Sequence, residues 1–255
     1  MQPAQHPFPA TGTRPAVRLT DVTKRYGEGA GSVLALDGVG ADLETGTFTA
    51  VMGPSGSGKS TFLHCAAGLD RPTSGAVHIG GQDLARLREA RLTELRRTRV
   101  GFVFQAFNLL PSLTVEQNIT LPLRLAGRQP DADWLDHIVA GVGLTGRLGR
   151  RPAELSGGQQ QRVAIARALA TRPEVIFADE PTGALDPETA RDILGLLRQA
   201  VTDMHQTVVM VTHDPMAAAH TDRALFLSAG RIVDELTAPG AGHVAEVMAG
   251  LRRAV

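Results

Sequence analysis

A glycine-rich loop between a strand-like and a helix-like segment constrains this chain more than any other feature. It follows an apolar run at residues 48–52 and precedes a helix-like stretch that begins at residue 62. Glycines permit positive φ angles and close backbone approach, so several N–H groups can converge on one anion. The dipole of the following helix adds positive potential there. The residues that we expect to cradle phosphate are Gly53, Pro54, Ser55, Gly56, Ser57, Gly58, Lys59, Ser60 and Thr61.

The spacing of these residues, Gly-x4-Gly-Lys-Ser, is typical of nucleoside triphosphate sites. In such a loop we expect Lys59 to reach the β- and γ-phosphates and Ser60 to offer its hydroxyl to Mg²⁺. The alternative is a flexible turn that happens to hold a lysine, which does not account for the strand-loop-helix context. The loop therefore predicts a nucleoside triphosphate and Mg²⁺ as ligands.

Two adjacent acids end a second apolar run, at residues 175–178. A continuous apolar run is expected for a strand buried on both faces of a parallel sheet. We predict that Asp179 holds the Mg²⁺ shell and that Glu180 polarises the attacking water, the alternative being an acid pair that caps a helix before Pro181. A third apolar run, at residues 207–212, ends at His213. This histidine lies where a γ-phosphate sensor would sit.

Residues 155–159 read Leu-Ser-Gly-Gly-Gln and open an amphipathic stretch that continues to residue 169. A serine is a good N-cap, and a glycine-rich helix N-terminus binds anions. With this motif the chain resembles the ABC ATPases, and the second phosphate site that the resemblance implies consists of Ser156, Gly157, Gly158 and Gln159. It is too far from the first to share one nucleotide within one chain. Two chains would therefore pair head to tail, each Ser156 facing the Lys59 of the other.

The resemblance extends to three further positions. Tyr26 matches the aromatic residue that stacks on adenine, although a turn or core tyrosine is the alternative. Gln105 matches the glutamine that meets Mg²⁺ and signals to the membrane partner, although an amide at a strand end could simply satisfy backbone groups. Residues 183–186 match the loop that crosses the dimer seam. Ala184 stands there where the family often has serine or asparagine, so no polar side-chain contact is expected from it.

The resemblance implies an α/β fold with a P-loop NTPase core, an antiparallel β subdomain and an inserted helical subdomain. Turn signals and hydrophobic periodicity divide the chain into a flexible tail at residues 1–15, an ABC ATPase domain at 16–240 and a C-terminal helix at 241–255. Within the domain, residues 108–160 lose the β pattern. We predict the helical subdomain there.

Charge and hydropathy exclude some classes of protein. The chain has 26 acidic and 26 basic residues, which gives no support for binding to nucleic acid. No apolar run approaches the roughly 20 residues that a transmembrane helix needs, and the N-terminus lacks the features of a signal peptide. We expect a peripheral protein at the cytoplasmic face of the cell membrane.

Residues 104–115 and 64–75 are most similar to the lipoprotein-release and macrolide-export branch of the family. This resemblance implies an ATPase subunit that dimerises around two Mg·ATP and drives a separate permease, of export or mechanical type. Phe107, Leu109 and Leu110 would line a docking groove for that permease, or else fill the core of the helical subdomain. A non-enzymatic scaffold that uses ATP only to dimerise is the alternative function. A soluble ABC protein acting on ribosomes or DNA repair does not fit this length.

Overall fold

The computed structural model describes residues 14–253. Most of the predicted tail and the last two residues of the predicted C-terminal helix lie outside the described residues. The described chain forms two β-sheets with helices around them.

The first sheet is antiparallel and has four strands. Its strand order is β2-β1-β4-β5. Val17 on β1 lies opposite Leu43 on one neighbour and Ile79 on the other, and all three side chains are buried. The antiparallel β subdomain predicted from the sequence is therefore confirmed. The strands are β1 (Val17–Tyr26), β2 (Val33–Leu43), β4 (Ser74–Ile79) and β5 (Gln82–Asp83).

The second sheet has six strands in the order β10-β9-β3-β8-β7-β6. Its neighbours are parallel except for β10, which closes one edge in antiparallel pairing with β9. Nearly every residue of the three central strands is buried, as expected where helices cover both faces of a parallel sheet. The strands are β3 (Phe48–Met52), β6 (Val100–Phe104), β7 (Val175–Asp179), β8 (Val208–Val211), β9 (Arg223–Ser228) and β10 (Arg231–Thr237).

Eight α-helices are present in the described part of the chain. Two of them, α3 and α4, lie within the range predicted to be helical, and they pack with α5 and α6 in one apolar cluster. None of the helices in residues 14–253 is long and apolar enough to cross a membrane. The helices are α1 (Lys59–Ala66), α2 (Glu89–Arg99), α3 (Val115–Leu125), α4 (Ala132–Gly141), α5 (Gly157–Leu169), α6 (Pro187–Thr202), α7 (Pro215–Ala218) and α8 (Ala241–Arg253).

The order of the strands decides where a site can form. Strand β3 lies between β9 and β8, and β7 follows β8. The loops after these parallel strands therefore leave the same edge of the sheet, where ligands bind in open α/β sheets. The fold class predicted from the sequence is confirmed, whereas the division into domains stays a prediction.

Candidate functional site

The loop between β3 and α1 lies close against the backbone of two other strands. Gly53 and Gly58 have φ angles of 153° and 105°, which side chains other than glycine rarely adopt. A Cβ atom on Gly53 would overlap the carbonyl oxygen of Leu227, and one on Gly58 would overlap that of Ala35. Both positions therefore require glycine, because of the positive φ angle and because neighbouring backbone leaves no room for a Cβ atom.

Lys59 is held over this loop by two hydrogen bonds. Its Nζ donates to the carbonyl oxygen of Gly53 at 3.0 Å and to that of Pro54 at 2.9 Å. Desolvation by burial lowers the pKa of Lys59, while the nearby charges of Glu180 and Asp179 oppose that shift. The ammonium group therefore lies where the loop turns, beside the acids that follow β7.

The hydroxyl groups of the loop differ in their surroundings. Ser60, in the first turn of α1, is exposed, and Thr61 is half-buried. The Oγ atom of Ser57 is buried and has no hydrogen-bond partner among residues 14–253. A buried hydroxyl without a partner is uncommon in proteins and is accounted for when the loop closes around a polar ligand.

The acids after β7 and the histidine after β8 lie together, because β7 and β8 are neighbours in the sheet. Glu180 has a φ angle of 45°, and its backbone N–H donates to the carbonyl oxygen of Val211 at 3.0 Å. Its Oε1 atom lies 2.8 Å from Nδ1 of His213. Burial raises the pKa of Asp179, with a further rise from Glu180 and opposing effects of His64 and Lys59. The structure thus brings the predicted acids and histidine to the predicted lysine.

One cavity of about 660 Å³ joins these groups. The sequence analysis anticipated all of its lining residues except Arg252, near the end of α8. Sequence reasoning had no signal for this arginine, because only the packing of α8 on the sheet carries it there. The lining residues are Gly53, Pro54, Ser55, Lys59, Glu180, His213 and Arg252.

Gln105 follows β6, and its side chain lies against the loop after Glu180. A Cβ atom on Gly183 would be only 2.9 Å from Nε2 of Gln105, so a glycine makes room for this amide. The sequence analysis missed a second glutamine in the same place. Gln161 on α5 is fully buried, and its Nε2 donates to the carbonyl oxygen of Pro181 at 2.6 Å. This amide links α5 to the loop that follows Glu180.

The second predicted phosphate site lies at the N-terminus of α5. Ser156 caps the helix: its Oγ accepts from the backbone N–H of Gln159 at 3.3 Å, and the Gln159 side chain accepts from the N–H of Ser156 at 3.1 Å. Gly157 and Gly158 follow in the first turn. Ser156 is exposed, and the cavity around Lys59 includes no residue of this helix. The structure therefore does not bring the two phosphate sites together within one chain.

Tyr26 ends β1 and lies outside the cavity around Lys59. Its hydroxyl donates to Oδ2 of Asp70 at 2.8 Å, and Nζ of Lys24 lies 4.9 Å from the centre of its ring. The side chain is nevertheless 40% exposed. The ring therefore has a fixed position and retains free surface, which fits a stacking role but does not test it.

The residues present fit a magnesium nucleotide. Glycines allow the loop to approach an anion, Lys59 supplies a positive charge, and Ser60 and Asp179 supply oxygen atoms. Among the described residues, no group of three or more His, Cys, Asp or Glu side chains could hold a metal ion. Mg²⁺ takes one or two protein ligands and completes its shell with water and phosphate oxygens.

Comparison with known proteins places this site in a family. The family model described as ABC transporter matches residues 36–183. The ABC transporter ATP-binding protein YxdL of Bacillus subtilis is 44% identical over 86% of this chain and 86% of its own length. The macrolide export ATP-binding/permease protein MacB of Marinobacter nauticus is 42% identical over 87% of this chain, but the chain spans only 35% of that relative.

A solved structure shares the fold. It is the dimeric structure of a post-hydrolysis state of the ATP-binding cassette MJ0796, bound to ADP and Pi. The TM-score is 0.78 with 41% identity, and the match covers 88% of this chain and 99% of that one. The family and the macrolide-export resemblance predicted from the sequence are confirmed. The chain belongs to the ABC transporter family.

Proposed function

We propose that this chain binds Mg·ATP between its phosphate loop and the Ser156 helix end of a second copy, hydrolyses it, and thereby drives a separate membrane permease. One observation carries the proposal. The cavity that contains Lys59 and Glu180 has no residue of α5, while Ser156, which caps α5, is exposed. An exposed helix N-terminus with glycines in its first turn suits a phosphate brought by another chain.

Each side chain then has a role that its position supports. Lys59 and the loop N–H groups hold the phosphates, and Tyr26 stacks on the adenine ring. Ser60, Gln105 and Asp179 would hold Mg²⁺, which neutralises charge on the phosphate oxygens when bound. Glu180 orients the attacking water, and its hydrogen bond fixes His213 beside the terminal phosphate. Positioning and charge stabilisation thus account for the catalysis.

Mixing two inactive variants tests the shared site. Lys59→Ala removes the lysine, and Ser156→Asp retains a good N-cap but places a negative charge where phosphate would bind. We expect each variant alone to lose hydrolysis. In a mixture, the Lys59 of one chain meets the Ser156 of the other, so one intact site forms in each mixed dimer and hydrolysis returns. If the mixture stays as inactive as its components, the two phosphate sites do not belong to one shared active site.

A groove beside β6 supports the permease part of the proposal. It has a volume of about 460 Å³, and apolar residues line it together with polar ones that include Arg96 and Arg97. Two leucines that line it, Leu69 and Leu125, are 45% and 59% exposed. Exposed leucines in a groove are typical of a protein-binding surface. The apolar lining residues are Leu69, Val100, Phe102, Phe104, Leu121, Pro122 and Leu125.

The docking residues predicted from the sequence stay a prediction. Phe107, Leu109 and Leu110 do not line this groove. Phe107 lies near Gly157, and Leu109 packs partly against the cluster that contains α3 and α5. The chain turns after Phe104, where the N–H of Phe107 donates to the carbonyl oxygen of Phe104, and Phe107 and Asn108 have positive φ angles.

Replacing groove leucines tests the docking surface. Leu69→Ser and Leu125→Ser should reduce co-purification of the permease, because both remove exposed apolar area from the groove. Val233→Ser on β10 is the control, since Val233 is 51% exposed and lies at the edge strand of the sheet. The free energy of unfolding of all three variants should stay within about 0.5 kcal/mol of the parent value, as is usual for surface substitutions. Equal permease recovery in all three would contradict docking at the groove.

The location of the protein follows from this partner. A chain that docks on a permease and uses ATP would lie at the cytoplasmic face of the membrane as a peripheral subunit. The relatives named as macrolide export proteins favour a transporter of the export type.

A further inference from the structure

The last turn of α8 places a guanidinium group at the phosphate cavity. Arg252 lines this cavity together with Lys59, Glu180 and His213. It also lines an adjoining cavity of about 450 Å³, which it shares with His213 and with the neighbouring Arg253. Of the two arginines, only Arg252 lines the phosphate cavity.

Packing of α8 determines where Arg252 lies. Val244 and Met248 are buried, and Arg252 follows Met248 by one helical turn, so it continues the packed face of the helix. The cluster beneath this face includes Ala50 and Met52 of β3. Because β3 leads directly into the phosphate loop, the packing of α8 on β3 also positions the C-terminal end of α8 beside that loop.

The charges in the cavity favour an anion as the partner of Arg252. The one carboxylate that lines it, on Glu180, already bonds to His213 at 2.8 Å. Within residues 14–253, Arg252 makes no ion pair or hydrogen bond, unlike Lys59, which donates to two loop carbonyl groups. A guanidinium presents a planar fork of donors that matches phosphate oxygens.

A simpler role for Arg252 is to complement the helix dipole. Basic side chains in the last turn of a helix stabilise it, and both Arg252 and Arg253 stand there. That role would apply to the two arginines alike. Only Arg252 could contact the phosphate end of the nucleotide, so Arg253 serves as a matched control.

We propose that Arg252 is a phosphate-binding residue of the ATP site, contacting the γ-phosphoryl group or the inorganic phosphate released from it. The inference rests on the proposed function, since it assumes that the γ-phosphate lies between Lys59 and His213. It makes α8 part of the nucleotide site. A displacement of this helix would then change the affinity of the site for ATP.

Nucleotide titration in the full chain tests the proposal. In a Glu180→Gln background, which prevents turnover, ATP and ADP affinities are measured for Arg252→Gln, Arg252→Lys and Arg253→Gln. We expect Arg252→Gln to weaken ATP binding by roughly three- to tenfold, the range for a charged hydrogen bond after discounting for solvent exposure. ADP binding should not change. Arg252→Lys should retain part of the ATP affinity, and Arg253→Gln should retain all of it.

Inhibition by inorganic phosphate identifies the source of the phosphate. With Glu180 intact, inhibition of hydrolysis by phosphate is compared between the wild type and Arg252→Gln. If Arg252→Gln weakens the inhibition, Arg252 contacts released phosphate as well as bound ATP. If the inhibition is unchanged, Arg252 contacts only the γ-phosphoryl group. Equal ATP-to-ADP affinity ratios in the Arg252→Gln and Arg253→Gln variants would overturn the proposal and leave the helix dipole as the role of both arginines. Absence of hydrolysis in the wild type would instead contradict the proposed function.

Discussion

Two glycine-rich helix starts in this molecule are built for phosphate in different ways. At α1 the loop lies close against the backbone of β2 and β9. Lys59, Glu180 and His213 line one cavity there. At α5 the capping Ser156 is exposed, residues 157–159 are half-buried, and a capping box from Ser156 and Gln159 fixes the helix start. The first has the groups needed for chemistry, while the second has the backbone N–H groups of a helix start. The difference explains why a protein of this kind would need two chains for one reaction.

The largest effect should come from removing the base at the α1 site. Glu180→Gln should retain ATP binding and lower turnover by about two orders of magnitude or more, the scale for a positioned base. ATP should then hold two chains together, which size-exclusion chromatography with Mg·ATP measures. Glu188→Gln, on the exposed first turn of α6, is the control and should behave as wild type. Wild-type turnover with an unchanged monomer would remove Glu180 from its assigned role.

A glycine substitution at each helix start sharpens the contrast in packing. Gly58→Ala should cost about 1–3 kcal/mol in the free energy of unfolding and abolish ATP binding, because the new Cβ overlaps the Ala35 carbonyl oxygen at a positive φ angle. Gly157→Ala should fold normally, since its Cβ would meet Leu185 and Phe107 at an ordinary 3.6 Å. Thermal melts and ATP titrations compare them. Equal loss of stability would show that both helix starts are equally constrained.

Two capping boxes separate stability from function at the α5 site. Ser156→Ala and Thr114→Ala each remove an N-cap and should each cost about 1 kcal/mol of stability. Only Ser156→Ala should also reduce ATP-dependent pairing and hydrolysis. If Thr114→Ala lowers hydrolysis as much, the loss reflects weakened helices rather than a missing phosphate contact.

The smallest effect concerns the adenine side of the α1 site. Tyr26→Ala should weaken ATP binding by about 1 kcal/mol, the scale of an aromatic stacking contact. Tyr26→Phe should retain the affinity even though it loses the hydrogen bond to Asp70. Nucleotide titration of both variants decides whether the ring or the hydroxyl matters. Equal losses would assign the effect to the bond with Asp70.

The sequence predicted the α1 site more completely than the rest of the molecule, for a physical reason. Residues 53–61 are contiguous, and Glu180 and His213 stand at the ends of apolar runs that read as buried strands, so local pattern places them at one edge of the sheet. Arg252 and Gln161 reach the same region only through long-range packing of α8 and α5. Such contacts leave no local pattern in a single sequence. The roles of the site residues remain predictions.

Local hydrogen bonds from side chains also determine where helices begin. Residues Leu84–Arg86 form a 3₁₀ turn, and α2 begins only at Glu89. The Asp83 side chain accepts a hydrogen bond from the N–H of Ala85 and stabilises that turn. Side-chain competition of this kind shifts helix starts without changing the hydrophobic pattern.

The close fit of Gly53 against Leu227 has a consequence for synthesis of the protein. The loop is made early, but β9, which carries Leu227 and pairs with β3, is made near the end of the described chain. A nascent chain that has not yet produced β9 lacks one wall of its phosphate loop and one neighbour of its central strand. Such long-range pairing delays folding. On the ribosome, the ability to bind ATP should therefore arise late, after nearly the whole described chain has emerged.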